Sequence, residues 1–355
     1  MEQADEVWVL GGTGRTGARA AAILAERGTR TVLVGRNAAR LEAAAAETGA
    51  TRTLIADDPA AMAAAIRRQR PAVVVNTVGP FSATSKPLAE ACLPTTSYVD
   101  IANDVTTAST IAGLDEAARR HGRTLVTGAG FGVVGTEAPL TLLCDERPVP
   151  TTVRVDSVAS FTTPAGTLGQ ALSDTMIEMF STKGQRIVNG RFISAPIGSS
   201  ALPLTLPDGS SVVTGAWPSG DLFAAHRISG APEIIAATAE VPTGRAGRAA
   251  LPVARAALRV GGLRRFAARR LAAMQVGERP MPRPNTWGHA SAGWSDGRAH
   301  DAWLRAGDAN DFTARVLAET AFRILNGNAT PGAGTPIQLL GLDLVEAAGG
   351  EVYLA

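Results

Sequence analysis

Val7-Trp8-Val9-Leu10-Gly11-Gly12-Thr13-Gly14-Arg15-Thr16-Gly17 stands almost at the start of this chain. Its four apolar residues predict a buried parallel strand. The glycine-rich turn opens onto Ala18–Arg27, a strong helix former closed by Gly28. Gly12, Gly14 and Gly17 fall in the register of a dinucleotide-binding turn. The first glycine allows the tight turn, the second lets backbone approach a pyrophosphate, and the third lets helix and strand pack closely. Gly11, Gly12, Thr13, Gly14, Arg15, Thr16 and Gly17 are therefore the expected phosphate loop, with the anion on the free N–H groups at the helix start.

A second strand, Thr31–Arg36, follows. An Asp or Glu at its C-terminal end would accept a hydrogen bond from the ribose 2′-OH of NAD. This chain has Gly35-Arg36-Asn37, with Arg40 one turn on. A guanidinium fork suits a 2′-phosphate, so Arg36, Asn37 and Arg40 predict NADPH (NADP) as cofactor; the other account of the arginines is solvated surface charge. A helix over Leu41–Thr48 leads to a third strand at Thr53–Ala56. Asp57 stands where such domains meet the adenine ring, or caps a helix, and Asp58 is expected to cap Pro59–Gln69. The fourth strand, Ala72–Asn76, runs into Thr77, Val78, Gly79 and Pro80, expected to line the nicotinamide ribose at the strand ends. Helices over Lys86–Leu93 and Thr107–His121 and strands at Ser97–Ile101 and Arg123–Thr127 complete the alternation. The expected architecture is an α/β Rossmann domain, a doubly wound parallel sheet, over residues 1–145.

From Thr151 the period changes. Val153–Val158 alternates as a half-buried strand, and Gly166–Phe180 predicts a helix with Leu168, Leu172, Met176 and Met179 along one side. Asn189-Gly190, Asp208-Gly209 and Asp296-Gly297 are tight-turn signals between strand-like runs. Residues 146–355 are thus expected to form an α+β substrate domain with a mostly antiparallel sheet. Asp308 is expected to cap a helix over 310–325 that braces the Rossmann domain. Trp287, Trp294 and Trp303 crowd the last hairpin as core, or as an apolar substrate wall.

Of 355 residues, 45% are hydrophobic and the net charge is +2, which suits a globular chain with no global attraction to nucleic acid. Residues 245–283 break that balance, with ten arginines and one acid, Glu278. They predict two short amphipathic helices broken at Gly261-Gly262, with Leu258, Leu263, Phe266 and Met274 turned away from the arginines. A solvated face, an acidic carrier protein and an anionic membrane surface all fit this segment. No apolar run approaches the roughly 20 residues of a membrane span. The acidic N-terminus running into a strand predicts no signal peptide. Cys92 and Cys144 lack zinc spacing and predict buried thiols in a reducing cytoplasm, and the four histidines lack metal-ligand spacing.

Val9–Gly17, Asn76-Thr77-Val78-Gly79-Pro80-Phe81, Ala91-Cys92, Tyr98-Val99-Asp100 and Gly130–Glu137 together resemble the saccharopine-dehydrogenase-like NADP-binding oxidoreductases. Gly332–Gly341 looks like the ending of the same group, so the resemblance brackets the chain. It implies hydride chemistry on NADP(H). Members of the group act on imines in amino-acid metabolism or resemble trans-acting enoyl reductases. Glu137 stands where the group more often has Asp, and Pro94–Ser97 where it often has Gly-Thr-His.

Hydride transfer needs an acceptor carbon held over the nicotinamide and a proton for the atom that becomes electron-rich. Tyr98, Asp100, Lys86 and Glu137 are the candidate proton donors or orienters, and each has a plain structural account as core, cap or surface. The expected function is an NADPH-dependent reductase of a C=N or activated C=C bond in an apolar small molecule, free or on an acyl or peptidyl carrier protein. A non-catalytic NADP(H)-binding sensor or scaffold and a membrane-surface protein are the alternatives, and a homodimer is compatible with all three.

Overall fold

The computed structural model describes residues 5–355, apart from 164, 168–172, 174–176, 178–182, 245–246, 248–250, 252–254, 257 and 259–260. It divides into two compact units: Met1–Val134 with Asn310–Gly350, and Gly135–Ala309 with Glu351–Ala355.

The first unit is built on a seven-stranded sheet in which every pairing is parallel. Its strands are β1 (Glu6–Leu10), β2 (Arg30–Gly35), β3 (Arg52–Ile55), β4 (Val73–Asn76), β5 (Ser97–Asp100), β6 (Thr124–Val126) and β17 (Gly332–Gly334). Their order is β17-β6-β5-β4-β1-β2-β3. Runs such as Val73-Val74-Val75 are buried from end to end, as strands covered on both faces must be. Helices α1 (Arg15–Glu26), α2 (Ala38–Thr48), α3 (Pro59–Gln69) and α4 (Phe81–Cys92) link the first five strands. Trp8, Leu10, Val34, Ile66, Val74, Leu88 and Tyr98 share one wholly buried cluster. Asp58 caps α3 as expected, accepting the Ala61 N–H at 2.8 Å.

Three expectations here change. Helix α4 begins at Phe81 rather than Lys86, directly after Pro80, and carries Pro87 inside it. The helix expected over Thr107–His121 is two: α5 (Val105–Ala112), capped by Asp104, and α6 (Asp115–Arg120), parted at Gly113-Leu114. Glycine there weakens helix continuity. Strand β17 supplies a seventh strand from the far end of the chain, pairing Ala333 with Leu125 of β6.

Helix α7 (Phe131–Cys144) carries the chain from the first unit into the second. The return helix, α10 (Ala309–Leu325), starts directly after Asp308, which accepts the Thr162 N–H. From Asn310 onward it belongs to the first unit, where Asp311 pairs with Arg19 at 3.0 Å and Glu319 with Arg27.

The second unit holds a mixed, mostly antiparallel sheet. Strand β7 (Thr152–Val158) pairs parallel with β13 (Glu233–Thr238) and antiparallel with β15 (Thr286–Gly293). Beyond β15 lie β16 (Ala299–Ala306) and β18 (Glu351–Leu354). On the other side are the hairpin β9 (Gln185–Val188) with β10 (Arg191–Ser194) and the hairpin β11 (Leu202–Thr205) with β12 (Ser211–Ala216). The Asn189-Gly190 turn has positive φ at both residues, the backbone that lets a two-residue loop follow the strand twist. Helix α8 (Gly220–Ser229) and helix α9 (Gly261–Ala272) also lie in this unit.

The helix expected from Gly166 does not start there. Gly166–Thr167 forms a short strand, β8, antiparallel to β14 (Gln275–Val276), with Gly166 at φ 144°, a conformation no helix uses. Leu168, Leu172, Met176 and Met179 lie outside the described residues. In the arginine-rich segment the Gly261-Gly262 pair forms the first turn of α9, while Arg245, Arg248 and Arg259 lie outside the described residues. Leu263, Phe266 and Met274 are exposed beside the arginines. Trp287, Trp294 and Trp303 are buried as core; the indole of Trp294 donates to the Pro148 carbonyl at 2.8 Å. Cys92 is buried and Cys144 half-buried.

Candidate functional site

The C-terminal ends of the parallel strands gather the loops singled out in the sequence. After β1 the chain turns at Gly11, whose φ of 78° favours glycine, and its N–H reaches the Val34 carbonyl at 2.9 Å. A Cβ at Gly17 would lie 2.7 Å from the Gly11 carbonyl oxygen and 2.8 Å from Thr77 Oγ1. The close approach of α1 to β1 therefore requires glycine. Thr77 Oγ1 donates to the Leu10 carbonyl at 2.8 Å, tying the end of β4 to the end of β1. A Cβ at Gly14, by contrast, would meet only the Gly11 carbonyl, at 3.2 Å. Gly14 is exposed and is the N-cap of α1, so no side chain caps the helix. The first-turn N–H groups of an α-helix have no intrahelical acceptor, and here no side chain at the cap competes for them. Those features fit a pyrophosphate held on the loop Gly11–Gly17.

Arg36 and Arg40 are both exposed at the end of β2, with no carboxylate in the intervening residues. Asn37 has a structural role, because its Oδ1 accepts the Arg40 N–H at 2.9 Å and caps α2. Asp57 is exposed at the end of β3.

Tyr98 and Asp100 are wholly buried, on one face of β5. The Asp100 carboxylate accepts five hydrogen bonds. Oδ2 takes Ser85 Oγ at 2.7 Å and the Tyr98 hydroxyl at 2.9 Å. Oδ1 takes Thr127 Oγ1 at 2.8 Å, the Ala102 N–H at 3.0 Å and the Gly128 N–H at 3.3 Å. Burial raises the Asp100 pKa above the ordinary value, and the donors from Ser85, Thr127, Ala102 and Tyr98 pull the other way. Burial also lifts the Tyr98 phenol well above its usual range, with the neighbouring Asp100 charge adding to the effect. Five donors facing one carboxyl suit its ionised form, which only accepts.

The chain of bonds continues to the strand-end loop. Asn76 Nδ2 donates to the Tyr98 hydroxyl at 2.9 Å, and Asn76 Oδ1 accepts the Val78 N–H at 2.9 Å. Thr84 Oγ1 donates to the Val78 carbonyl at 2.6 Å. The backbone of Val78, just before the cis Gly79–Pro80 bond, is thus fixed from beneath through Asn76, Tyr98 and Asp100. Sequence spacing does not single out Asn76, Ser85 or Thr127 as site residues. The available signal is a polar residue closing an apolar strand, Val73-Val74-Val75-Asn76.

Lys86 is not brought into this network. It lies on the exposed face of α4, where its ammonium stands 3.8 Å from Glu90. Glu137 is buried on α7 in the second unit. Its neighbour Thr136 donates to Asp221 Oδ1 at 2.7 Å, and Ser219 Oγ donates to Asp221 Oδ2 at 2.7 Å. Burial pushes Asp221 up to about 7, with the Glu240 and Glu137 charges adding to the rise. Glu240 is pushed up to about 7 by burial as well.

The second unit also holds a network that histidine spacing does not reveal. His289 lies between two carboxylates, Nδ1 3.1 Å from Asp156 Oδ2 and Nε2 3.1 Å from Asp301 Oδ1. Arg154 and Thr214 also bond the buried Asp156. Among the described residues no cluster of His, Cys, Asp and Glu could hold a metal ion.

No family model matches the sequence, and no curated protein matches it either. Among solved structures the chain is similar to apo saccharopine dehydrogenase (L-Glu forming) from Saccharomyces cerevisiae. That match covers 99% of this chain and 100% of the other at 12% identity, with a TM-score of 0.62. A short-chain dehydrogenase from Sphingobium yanoikuyae, in complex with NADPH, matches over 34% of this chain and 70% of its own at 23% identity and a TM-score of 0.29. The bulky-bulky ketone specific alcohol dehydrogenase from Comamonas testosteroni matches over 35% and 72% at 19% identity and a TM-score of 0.30. These two partial overlaps add nothing to the fold assignment. The class defined is a Rossmann unit joined to an α+β unit with a mixed sheet. Over nearly its whole length the chain has the saccharopine dehydrogenase fold.

Proposed function

We propose that the protein is an NADPH-dependent oxidoreductase that reduces a C=N bond or an activated C=C bond of an apolar small molecule. The observation that carries this reading is the uncapped start of α1 at Gly14, followed at the end of β2 by Arg36 and Arg40 with no acid between them. The loop Gly11–Gly17 takes the pyrophosphate on backbone N–H groups. Arg36 and Arg40 take the 2′-phosphate, and Asn37 sets the turn that presents them. Thr77, Val78, Gly79 and Pro80 line the nicotinamide ribose, and Asp57 meets the adenine side. The full-length likeness to a saccharopine dehydrogenase supports the fold this arrangement needs.

Bound NADPH supplies the hydride; the protein's part is to orient, exclude water and deliver one proton. Tyr98 and Asp100 are positioning residues in this reading. Their hydrogen bonds hold the Val78 backbone still through Asn76, and their burial keeps them from the reacting atoms. The proton goes to the nitrogen of a reduced imine, or to the α-carbon of a reduced enoyl group. Lys86, on the exposed face of α4, is the candidate donor; Glu137 is as buried as Tyr98 and Asp100.

Titration with NADPH and NADH, followed by cofactor oxidation with imine and enoyl-thioester panels, tests the proposal. Preference for NADPH and turnover of one panel are expected. Folded protein that binds neither dinucleotide would refute it. Tight NADPH binding without turnover of either panel would refute the reductase step and leave a dinucleotide-binding protein.

A further inference from the structure

Helix α9, Gly261–Ala272, carries its side chains the wrong way round for a helix stabilised by a core. Ala268 is its buried residue, and Ala267, Leu271 and Ala272 are half-buried. The large apolar side chains face out: Phe266 is 59% exposed, Leu263 44%, and Met274, just past the helix, 47%. At 3.6 residues per turn, Leu263, Phe266, Arg269 and Arg270 share the outer side, with Arg265 at its margin. The Arg270 guanidinium lies 5.7 Å from the centre of the Phe266 ring. From Val241 to Gly277 the sequence has eight arginines and no acidic residue.

We propose that the outer side of α9 is a docking surface for an anionic lipid bilayer. Exposed Phe266, Leu263 and Met274 would enter the boundary between headgroups and acyl chains. Arg265, Arg269 and Arg270 would meet lipid phosphates, their aliphatic stems lying along the interface. Charge complementarity favours a surface dense in anions. The patch also projects from a convex helix, whereas a protein partner would have to supply a matching groove; a bilayer needs no such match. Among the described residues no helix is long and apolar enough to cross a membrane. This surface belongs to the second unit and does not depend on the reductase reading.

The test is co-sedimentation of the full chain with phosphatidylcholine vesicles, with and without phosphatidylglycerol. Binding to the anionic vesicles alone is expected. Each arginine near such a surface contributes about fivefold, so R265Q/R269Q/R270Q should lose roughly a hundredfold. Phe266→Ser should lose roughly tenfold, the value of burying that side chain. All these side chains are exposed, so unchanged thermal midpoints confirm that the variants fold. NADPH titrations should be the same in wild type and variants, which separates failure here from failure of the reductase reading. Equal binding to neutral vesicles, or binding indifferent to both variants, would overturn the proposal. So would binding to polyglutamate or duplex DNA by a protein that ignores anionic vesicles.

Discussion

The hydroxyl of Tyr98 donates a 2.9 Å hydrogen bond to the carboxylate of Asp100 two residues along the same strand, and both side chains are wholly buried. Residues at i and i+2 of a strand share a face, so the pairing is local. Removing the phenolic oxygen leaves Asp100 Oδ2 with Ser85 alone, and it takes away the nearer acceptor of Asn76 Nδ2. Tyr98→Phe is expected to cost ~1–3 kcal/mol. Asp100→Ala strands five donors in a dry site and should cost more, ~3–5 kcal/mol. Urea midpoints measure both. A Tyr98→Phe protein as stable as wild type would show that the bond adds nothing net to folding.

The glycines of the first turn should separate folding from binding. Gly17→Ala puts a Cβ against the Gly11 carbonyl and Thr77, so both thermal stability and NADPH affinity should fall, by ~2 kcal/mol or more in stability. Gly14 has φ −83° and only one near neighbour, at 3.2 Å. Gly14→Ala should therefore keep the fold within ~1 kcal/mol while weakening NADPH about tenfold or more, because the added methyl keeps the phosphates off the backbone. Calorimetry and melting curves on the same two variants decide the matter. Equal NADPH affinity in wild type and Gly14→Ala would count against the loop as the phosphate site.

What the sequence disclosed followed the range of the interactions. The turn Gly11–Gly17, the Asp58 cap and the Asn189-Gly190 hairpin are each set by a few neighbouring residues, and they are where local patterning puts them. Strand β17 escapes such patterning because Gly332-Ala333-Gly334 has no strand preference of its own; β6 imposes its pairing from some two hundred residues upstream in sequence, as the Ala333–Leu125 partnership shows. Helix α4 starts earlier than its pattern suggests because Pro87 reads as a breaker near a start, while Pro80 is the residue that opens it. In the candidate site, Tyr98 and Asp100 can be picked out by residue type. Their partners Ser85 and Thr127 come from a helix and another strand end, which spacing does not encode. The His289 network is likewise assembled across separate strands.

In the proposed function Arg36 and Arg40 choose the cofactor. A charge-assisted hydrogen bond to a phosphate contributes roughly 1.5–3 kcal/mol, so Arg36→Ala should weaken NADPH about ten- to a hundredfold. NADH, which lacks the 2′-phosphate, should bind as before. Arg40→Ala should act in the same direction with a smaller loss if Arg36 is the main contact. Dissociation constants for both dinucleotides at one ionic strength provide the check. Parallel losses for NADPH and NADH would mean the arginines support the fold of the loop rather than the phosphate.

Asp221 gives the second unit a pH dependence of definite sign. Its folded pKa is raised to about 7, against an ordinary value near 3.9. A raised carboxylate contributes stability that is whole below the unfolded pKa and is lost as pH rises through the folded one. Stability should fall between about pH 4 and about pH 7, by up to about 4 kcal/mol from this group. Asp221→Asn keeps an acceptor for Ser219 or Thr136 and removes the titration. Its melting temperature relative to wild type should rise across that interval, while its own curve keeps a slope from Glu240, also pushed up to about 7. If the difference between the two proteins is flat in pH, Asp221 does not titrate in that range.

His289 should act at the next step of the pH scale. Both ring nitrogens face carboxylates at 3.1 Å, and only the imidazolium donates from both. Burial opposes that charge, but the hydrogen bonds to Asp156 and Asp301 outweigh it and raise the pKa above the ordinary value. Asp156 is buried and Asp301 about half exposed, so Asp156 supplies most of the coupling. The stability that His289 adds is complete below its unfolded pKa, near 6.5, and disappears as pH rises through the folded value. The same pairs lower the Asp156 and Asp301 pKa values, and that stability is lost only as pH drops below about 4. His289→Gln keeps one donor, so it should cost roughly 2–4 kcal/mol near pH 6 and progressively less above pH 7. Melting temperatures of the two proteins should therefore converge toward alkaline pH. Curves that stay parallel would show that the ring is neutral in the folded protein and that Arg154 alone balances Asp156.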